Sequence, residues 1–253
     1  MKVISQIPMS IITASKRLLA RFTFGLVILI AAILDANAAA ATRIVLAQDQ
    51  YAMVQVVVAQ DASARVRQAA MNLADYLGRI SDAVFEVITG DGTRGIAVGL
   101  PQNFPRLIVG RDLQPETIEQ RERYLLRSHS DGVYVIGATE TAVEDAVWDL
   151  LYRLGYRQFF PGLTWEVVPK IQTLETDVNT SERPDYLSRW IWYGFGVWDY
   201  NDEYYRQWSE RNRARNEAFR VNTGHAYLSI INSYKSEFDA HPEYLWIQSS
   251  TIF

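Results

Sequence analysis

Residues 124–162 read YLLRSHSDGVYVIGATETAVEDAVWDLLYRLGYRQFFPG, and the spacing of apolar residues changes halfway along them. Arg123–Arg127 and Val133–Ile136 are strand-like runs on either side of Ser130-Asp131-Gly132. Asp-Gly between two such runs predicts a β-hairpin. The spacing then becomes helical: Val143, Ala146, Val147, Leu150, Leu151 and Leu154 fall on one stripe. Thr139 or Thr141 opens this helix, Thr141 standing in capping-box spacing with Glu144. Gly155 occupies the position where helices commonly turn left-handed and stop. Tyr156–Phe160 is strand-like again and is closed by Pro161-Gly162.

The same grammar holds upstream. Ile44–Leu46 and Val54–Val58 are strand-like, and Asp61 is placed to cap a helix over about 62–80. Its buried stripe is Val66, Ala69, Ala70, Leu73, Leu77 and Ile80. Val84–Ile88 and Gly95–Val98 read as two more strands. The sum is a small α/β domain, a mixed sheet with two helices, over residues 43–175. The polar stretch Glu175–Pro184 reads as a linker.

Beyond Pro184 the composition shifts. Tyr186 to Trp208 holds ten aromatic residues. Leu187–Phe195 is expected to be a strand, Glu203–Arg220 a helix and Ala226–Ile231 a second strand, which is how a βαβ unit begins. At the other end, Lys2, Lys16, Arg17 and Arg21 precede an uncharged run, Phe22–Leu34, and the small-residue site Ala36-Asn37-Ala38. That order is a secretory signal peptide over residues 1–38, with the mature protein periplasmic or extracellular. The apolar run is too short to span a bilayer comfortably, so no stable membrane span is expected after cleavage. An uncleaved anchor is the competing reading.

Composition removes several function classes. The chain has no cysteine, hence no disulfide, zinc–thiolate site, iron–sulfur cluster or thiol nucleophile. Three histidines, His129, His225 and His241, leave little for a multi-histidine metal centre. With 25 Lys+Arg against 29 Asp+Glu, and the basic leader removed, the mature chain is acidic and poorly suited to nucleic acid. Gly90-Asp91-Gly92-Thr93-Arg94-Gly95 matches a dinucleotide fingerprint by letter, but a strand pattern follows where a helix is required, so no cofactor is expected. Asp199, Asp202 and Glu203 favour a helix N-terminus over a cation site. Arg206, Arg211, Arg213, Arg215 and Arg220 alternate with glutamates and read as a solvated helix face. The aromatic cluster reads equally as core or as rings that stack on sugars.

Three groups of residues carry a resemblance. The first is Ala69–Leu77 with Ile96–Gly99. The second is Leu150–Arg157 with Phe159-Phe160-Pro161-Gly162 and Val167-Val168-Pro169. The third is Arg183–Arg189 with Asn222–Tyr227 and His241-Pro242-Glu243-Tyr244. The first two resemble the accessory α/β domain that precedes the barrel in bacterial alpha-glucuronidases and beta-hexosaminidases. The third resembles the barrel start of exported glycoside-hydrolase-like proteins that carry the same domain. The resemblance implies a carbohydrate partner and an incomplete (β/α)8 barrel over 185–253, since a whole barrel takes about 250 residues. The chain is therefore expected to be truncated, with its catalytic carboxylates unassigned. For sugar contact the resemblance implies Arg189, Trp192 as a stacking ring, His225, His241 and Glu243. An exported protein that binds carbohydrate or another surface without chemistry is the alternative.

Overall fold

The computed structural model describes residues 42–107, 113–191, 200–215 and 227–244. The strands are β1 Ile44–Gln48, β2 Tyr51–Ala52, β3 Val56–Val58, β4 Val87–Thr89, β5 Gly95–Gly99, β6 Tyr124–His129, β7 Gly132–Gly137, β8 Arg157–Gln158, β9 Glu166–Val167, β10 Thr173–Thr176 and β11 Asn179–Glu182. The helices are α1 Ala64–Ser81, α2 Glu140–Arg153, α3 Tyr200–Arg211, α4 Tyr227–Ser233 and α5 Lys235–Ala240.

Six strands form the main sheet in the order β11-β6-β7-β5-β3-β4. β5 runs parallel to β3 and β7, and β3 parallel to β4, while β6 is antiparallel to β7 and β11. The mixed sheet with two helices is thus as expected. Alternation of side chains divides the strands between two faces. Val56, Val58, Ile96, Val98, Leu126, Val133 and Val135 pack under α1 and α2 in the main core. Ala97, Leu125 and Ile136 face the other way, into a smaller cluster with Phe104, Leu107 and Leu113.

Several details differ from the sequence reading. Ser63, not Asp61, caps α1, its hydroxyl accepting from the amide of Val66 at 3.2 Å. Of the two threonines named for the start of α2, Thr139 is the cap and the capping box at Thr141 is not used: the Thr139 hydroxyl accepts from Ala142 N and donates to the carbonyl of Arg121. The hairpin turn is Ser130-Asp131, since His129 already pairs with Gly132. Neither turn residue has positive φ, so the glycine is not needed for a primed turn. It is needed for packing: a Cβ on Gly132 would lie 1.9 Å from the carbonyl oxygen of Gly95 on the neighbouring strand. Gly155 does take the left-handed conformation, φ 98°, just past α2.

The stretch taken for a linker is structural. β10 pairs with β1, and β11 completes the main sheet beside β6, Asn179 opposite Arg127 and Glu182 opposite Tyr124. Polar side chains fit there because an edge strand exposes one side to water. The expected βαβ start also changes. Leu187–Ile191 has no strand, and residues 192–195 of the predicted one lie outside the described residues. The pattern at Ala226–Ile231 predicts a strand, but Tyr227–Ser233 is the helix α4. No helix among the described residues is long and apolar enough to cross a membrane. The signal-peptide residues lie outside the described ones.

Candidate functional site

After β11 the chain crosses back over the α/β domain, and arginines fasten it. α2 presents Glu144, Asp145 and Asp149, the last two buried despite their charge. Arg215 places Nε 2.7 Å from Asp145 Oδ1 and Nη1 3.0 Å from Glu144 Oε2. Arg213 places Nη1 2.9 Å from Asp149 Oδ1 and 2.9 Å from the Tyr124 hydroxyl. Arg189 places Nη1 2.6 Å from buried Glu122 and Nη2 3.7 Å from Asp145 Oδ2. Arg65 on α1 closes a two-pronged pair with Glu144, both contacts at 2.8 Å.

Arg189 also ties the crossing segment to itself. Its amide donates to the carbonyl of Arg215 at 2.7 Å, its Nε to the carbonyl of Arg213 at 2.8 Å and its Nη1 to that of Tyr186 at 2.6 Å. Arg213 is left-handed, φ 56°, just beyond α3, an uncommon state for a residue with a side chain. That turn directs residues 211, 213 and 215 toward the domain. The arginines read as a solvated helix face therefore divide. Arg206 is exposed and pairs with Glu203 and Glu210 on its own helix. Arg211, Arg213 and Arg215 are drawn inward by acids distant in sequence.

Arg211 reaches a second centre, Glu166 at the start of β9. That carboxylate accepts from Tyr76 at 2.5 Å, Tyr156 at 3.2 Å, Arg79 at 2.6 Å and Arg211 at 3.0 Å. Tyr76, Trp148 and Tyr156 pack ring on ring beside it, with centroids 4.8 to 5.6 Å apart. Burial pushes the Glu166 carboxyl up. The hydrogen bonds from Arg79 and Tyr76, with the charges of Arg79 and Arg211, outweigh burial and hold it below the usual range. Asp145 goes the other way. Burial lifts it to about 6, Glu122 adds to the rise, and Arg215 and Arg189 only partly oppose it.

A cavity of about 220 Å³ opens on this seam, lined by Tyr124, Asp145, Glu182, Arg183, Arg189 and Arg213 among others. Of the residues assigned to sugar contact, Arg189 lies here, but protein acids and carbonyls hold most of its guanidinium. His241 and Glu243 lie together after α5. His241 Nδ1 is 2.9 Å from Glu243 Oε1, and the imidazole stacks on Tyr244 with centroids 4.9 Å apart. The Glu243 carboxyl is held low, first by its own backbone amide and then by His241. Trp192 and His225 lie outside the described residues, as do Asp199 and the side chain of Asp202. Glu203 accepts from Arg206 and Gln207, an ordinary helix-surface arrangement. Gly90–Arg94 links β4 to β5, a strand, as the sequence indicated. No group of three or more acidic or histidine side chains among the described residues is arranged to hold a metal ion.

Sequence reasoning missed Glu122, Asp145, Asp149 and Glu166. The signal was in the helix stripe: Asp145 and Asp149 are four apart, and each adjoins a stripe residue.

The described chain is thus a mixed α/β domain with a helical segment latched over it by arginine–carboxylate pairs. No family model matches it, and no curated protein matches it. Among solved structures it is similar to a GH138 enzyme targeting pectin rhamnogalacturonan II. Identity is 22% and the TM-score 0.30, over 40% of this chain and 10% of that one. The chain spans about a tenth of that protein's length.

Proposed function

We propose that this chain belongs to an exported carbohydrate-active protein of glycoside-hydrolase type, acting on a polysaccharide or a uronic-acid-bearing oligosaccharide. In this reading residues 43–182 are an accessory platform, and residues 1–38 direct export and are removed. The observation that carries the reading is the His241–Glu243–Tyr244 group. It sets two hydrogen-bonding side chains beside an exposed aromatic ring, the combination that recognises hydroxyls on one side and a sugar's apolar face on the other. The resemblance of the motifs at 154–169, 183–189, 222–227 and 241–244 supports it, and adds Trp192 and His225 as contacts. Arg189 serves the platform, since its partners are Glu122 and the carbonyls of Tyr186 and Arg213.

The seam acids do not serve as an acid–base pair. Glycoside hydrolysis uses two carboxyl groups about 5–10 Å apart with access to the scissile bond. Glu122, Asp145, Asp149 and Glu166 are instead buried against arginines. The proposed role of this chain is therefore glycan binding without turnover. Affinity electrophoresis of the purified protein in gels containing soluble plant polysaccharides tests it. Retardation by at least one glycan is expected, reduced by Trp192→Ala or Glu243→Ala, with no release of aryl alcohol from aryl glucuronides or aryl N-acetylhexosaminides. Unretarded migration in every gel would sink the carbohydrate reading, and turnover would sink the platform reading. Mass spectrometry of the exported protein should show cleavage after Ala38 or within the next few alanines; an intact Met1 in the soluble fraction would contradict it.

A further inference from the structure

The seam cavity has an unbalanced charge. Asp145 is offset by Arg215 at 2.7 Å, Glu182 by Arg153 at 3.2 Å, Arg213 by Asp149 at 2.9 Å and Arg189 by Glu122 at 2.6 Å. Once these pairs cancel, Arg183 remains. It is exposed at the cavity rim and closes no ion pair among the described residues; the carboxyl of Glu119, held low first by the Thr117 hydroxyl and by its own backbone amide, also feels the Arg183 charge. Deeper in the lining, Arg189 Nη2 is buried without a hydrogen-bond partner; the facing Asp145 oxygen is 3.7 Å away. A buried donor left open is costly, and a guanidinium is best satisfied by a carboxylate. At about 220 Å³ the cavity is larger than a bare ion needs.

We propose that this cavity binds a small organic carboxylate, its charge met by Arg183 and its oxygen by Arg189 Nη2, with Glu182 and the Tyr124 face meeting the rest of the molecule. The site is distinct from the His241–Glu243 group and does not depend on the carbohydrate reading. Two sources share this chemistry, a simple carboxylic acid and a hydroxylated sugar acid.

Isothermal titration of the full chain at pH 7.5 and fixed ionic strength separates them. The ligands are sodium acetate and sodium gluconate; sorbitol is gluconate's uncharged twin, and sodium chloride controls for salt. Gluconate is expected to bind and sorbitol not to. Acetate equal to gluconate supports the simple acid; acetate weaker supports the hydroxylated one. Arg183→Gln removes an exposed, unpaired side chain and should leave the fold intact while weakening gluconate about tenfold or more, the worth of one charge-assisted contact. Arg206→Gln, paired on its own helix, should leave binding unchanged. No heat with either carboxylate, equal binding of sorbitol, or full affinity in Arg183→Gln would each overturn the proposal.

Discussion

Replacing Arg215 by methionine tests the latch most directly. Arg215 keeps only 5% of its side-chain surface exposed, and Asp145 keeps 2%. Methionine fills much of the arginine's volume, so the change removes charge and hydrogen bonds with little cavity. Asp145 then faces a distant Arg189 Nη2 at 3.7 Å and a neighbouring Glu122 that repels it. Removing one member of a buried pair typically costs about 3–5 kcal/mol, because the remaining charge stays desolvated. In a chain this size each kcal/mol moves Tm by about 2–4 °C, so a fall of roughly 6–20 °C is expected. Urea denaturation at pH 7.5 with the same variant should give the matching loss. Acid should narrow the deficit, because Asp145 can take up a proton in place of its lost partner. The double variant Asp145→Asn/Arg215→Met should recover part of it, since no buried charge is then orphaned. Arg206→Ala is the control: its side chain is 58% exposed, and exposed pairs contribute little. If Arg215→Met cost no more than Arg206→Ala, the seam would be decoration and not a latch.

Three further outcomes follow from particular residues. Asp145 is raised to about 6 in the fold from 3.8, so its charged form is disfavoured by folding; that cost is absent below about pH 3.8, grows as pH rises and is complete above about 6. Asp145→Asn should therefore flatten the stability profile between pH 4 and 6, and an unchanged slope in urea titrations would refute the assignment. Gly132→Ala should destabilise by about 3 kcal/mol or more, because its Cβ would collide with the Gly95 carbonyl; wild-type cooperative unfolding by circular dichroism would contradict the strand contact. Thr139→Ala should cost about 1 kcal/mol in the same assay through the lost cap of α2, and no loss would return the cap to Thr141.

Periodicity carried most of the α/β domain. The stripes at Val66–Ile80 and Val143–Leu154 become the inner faces of α1 and α2, and the 123–136 hairpin pairs as expected. The errors share a cause: local chemistry proposes several solutions and tertiary contacts choose. Ser63 and Asp61 are both competent caps, as are Thr139 and Thr141; the structure uses Ser63 and Thr139. The polar 173–182 stretch looked like a linker because an edge strand needs few apolar side chains. Tyr227–Ser233 carries the β-favouring Tyr and Ile yet is helical, which propensity alone does not forbid.

The seam was the least legible feature, and physics explains why. An arginine beside glutamates on a helix looks solvated from sequence, because the pairs visible there are three and four residues apart. The partners that bury Arg211, Arg213 and Arg215 lie 45 to 89 positions away. The better signal was on the other side. A helix whose apolar stripe is complete does not gain stability from acids beside that stripe, since burying a carboxylate costs several kcal/mol unless a cation meets it. Asp145 therefore implies a cation from elsewhere in the chain, whereas Asp149 meets Arg153 four residues along its own helix and takes Arg213 as a second partner; a cluster of arginines follows soon after the domain. On this reasoning the acids of α2 and the arginines after α3 specify the path of the crossing segment together. Apolar contacts are tolerant of sliding, whereas several buried charge pairs fit in one register alone.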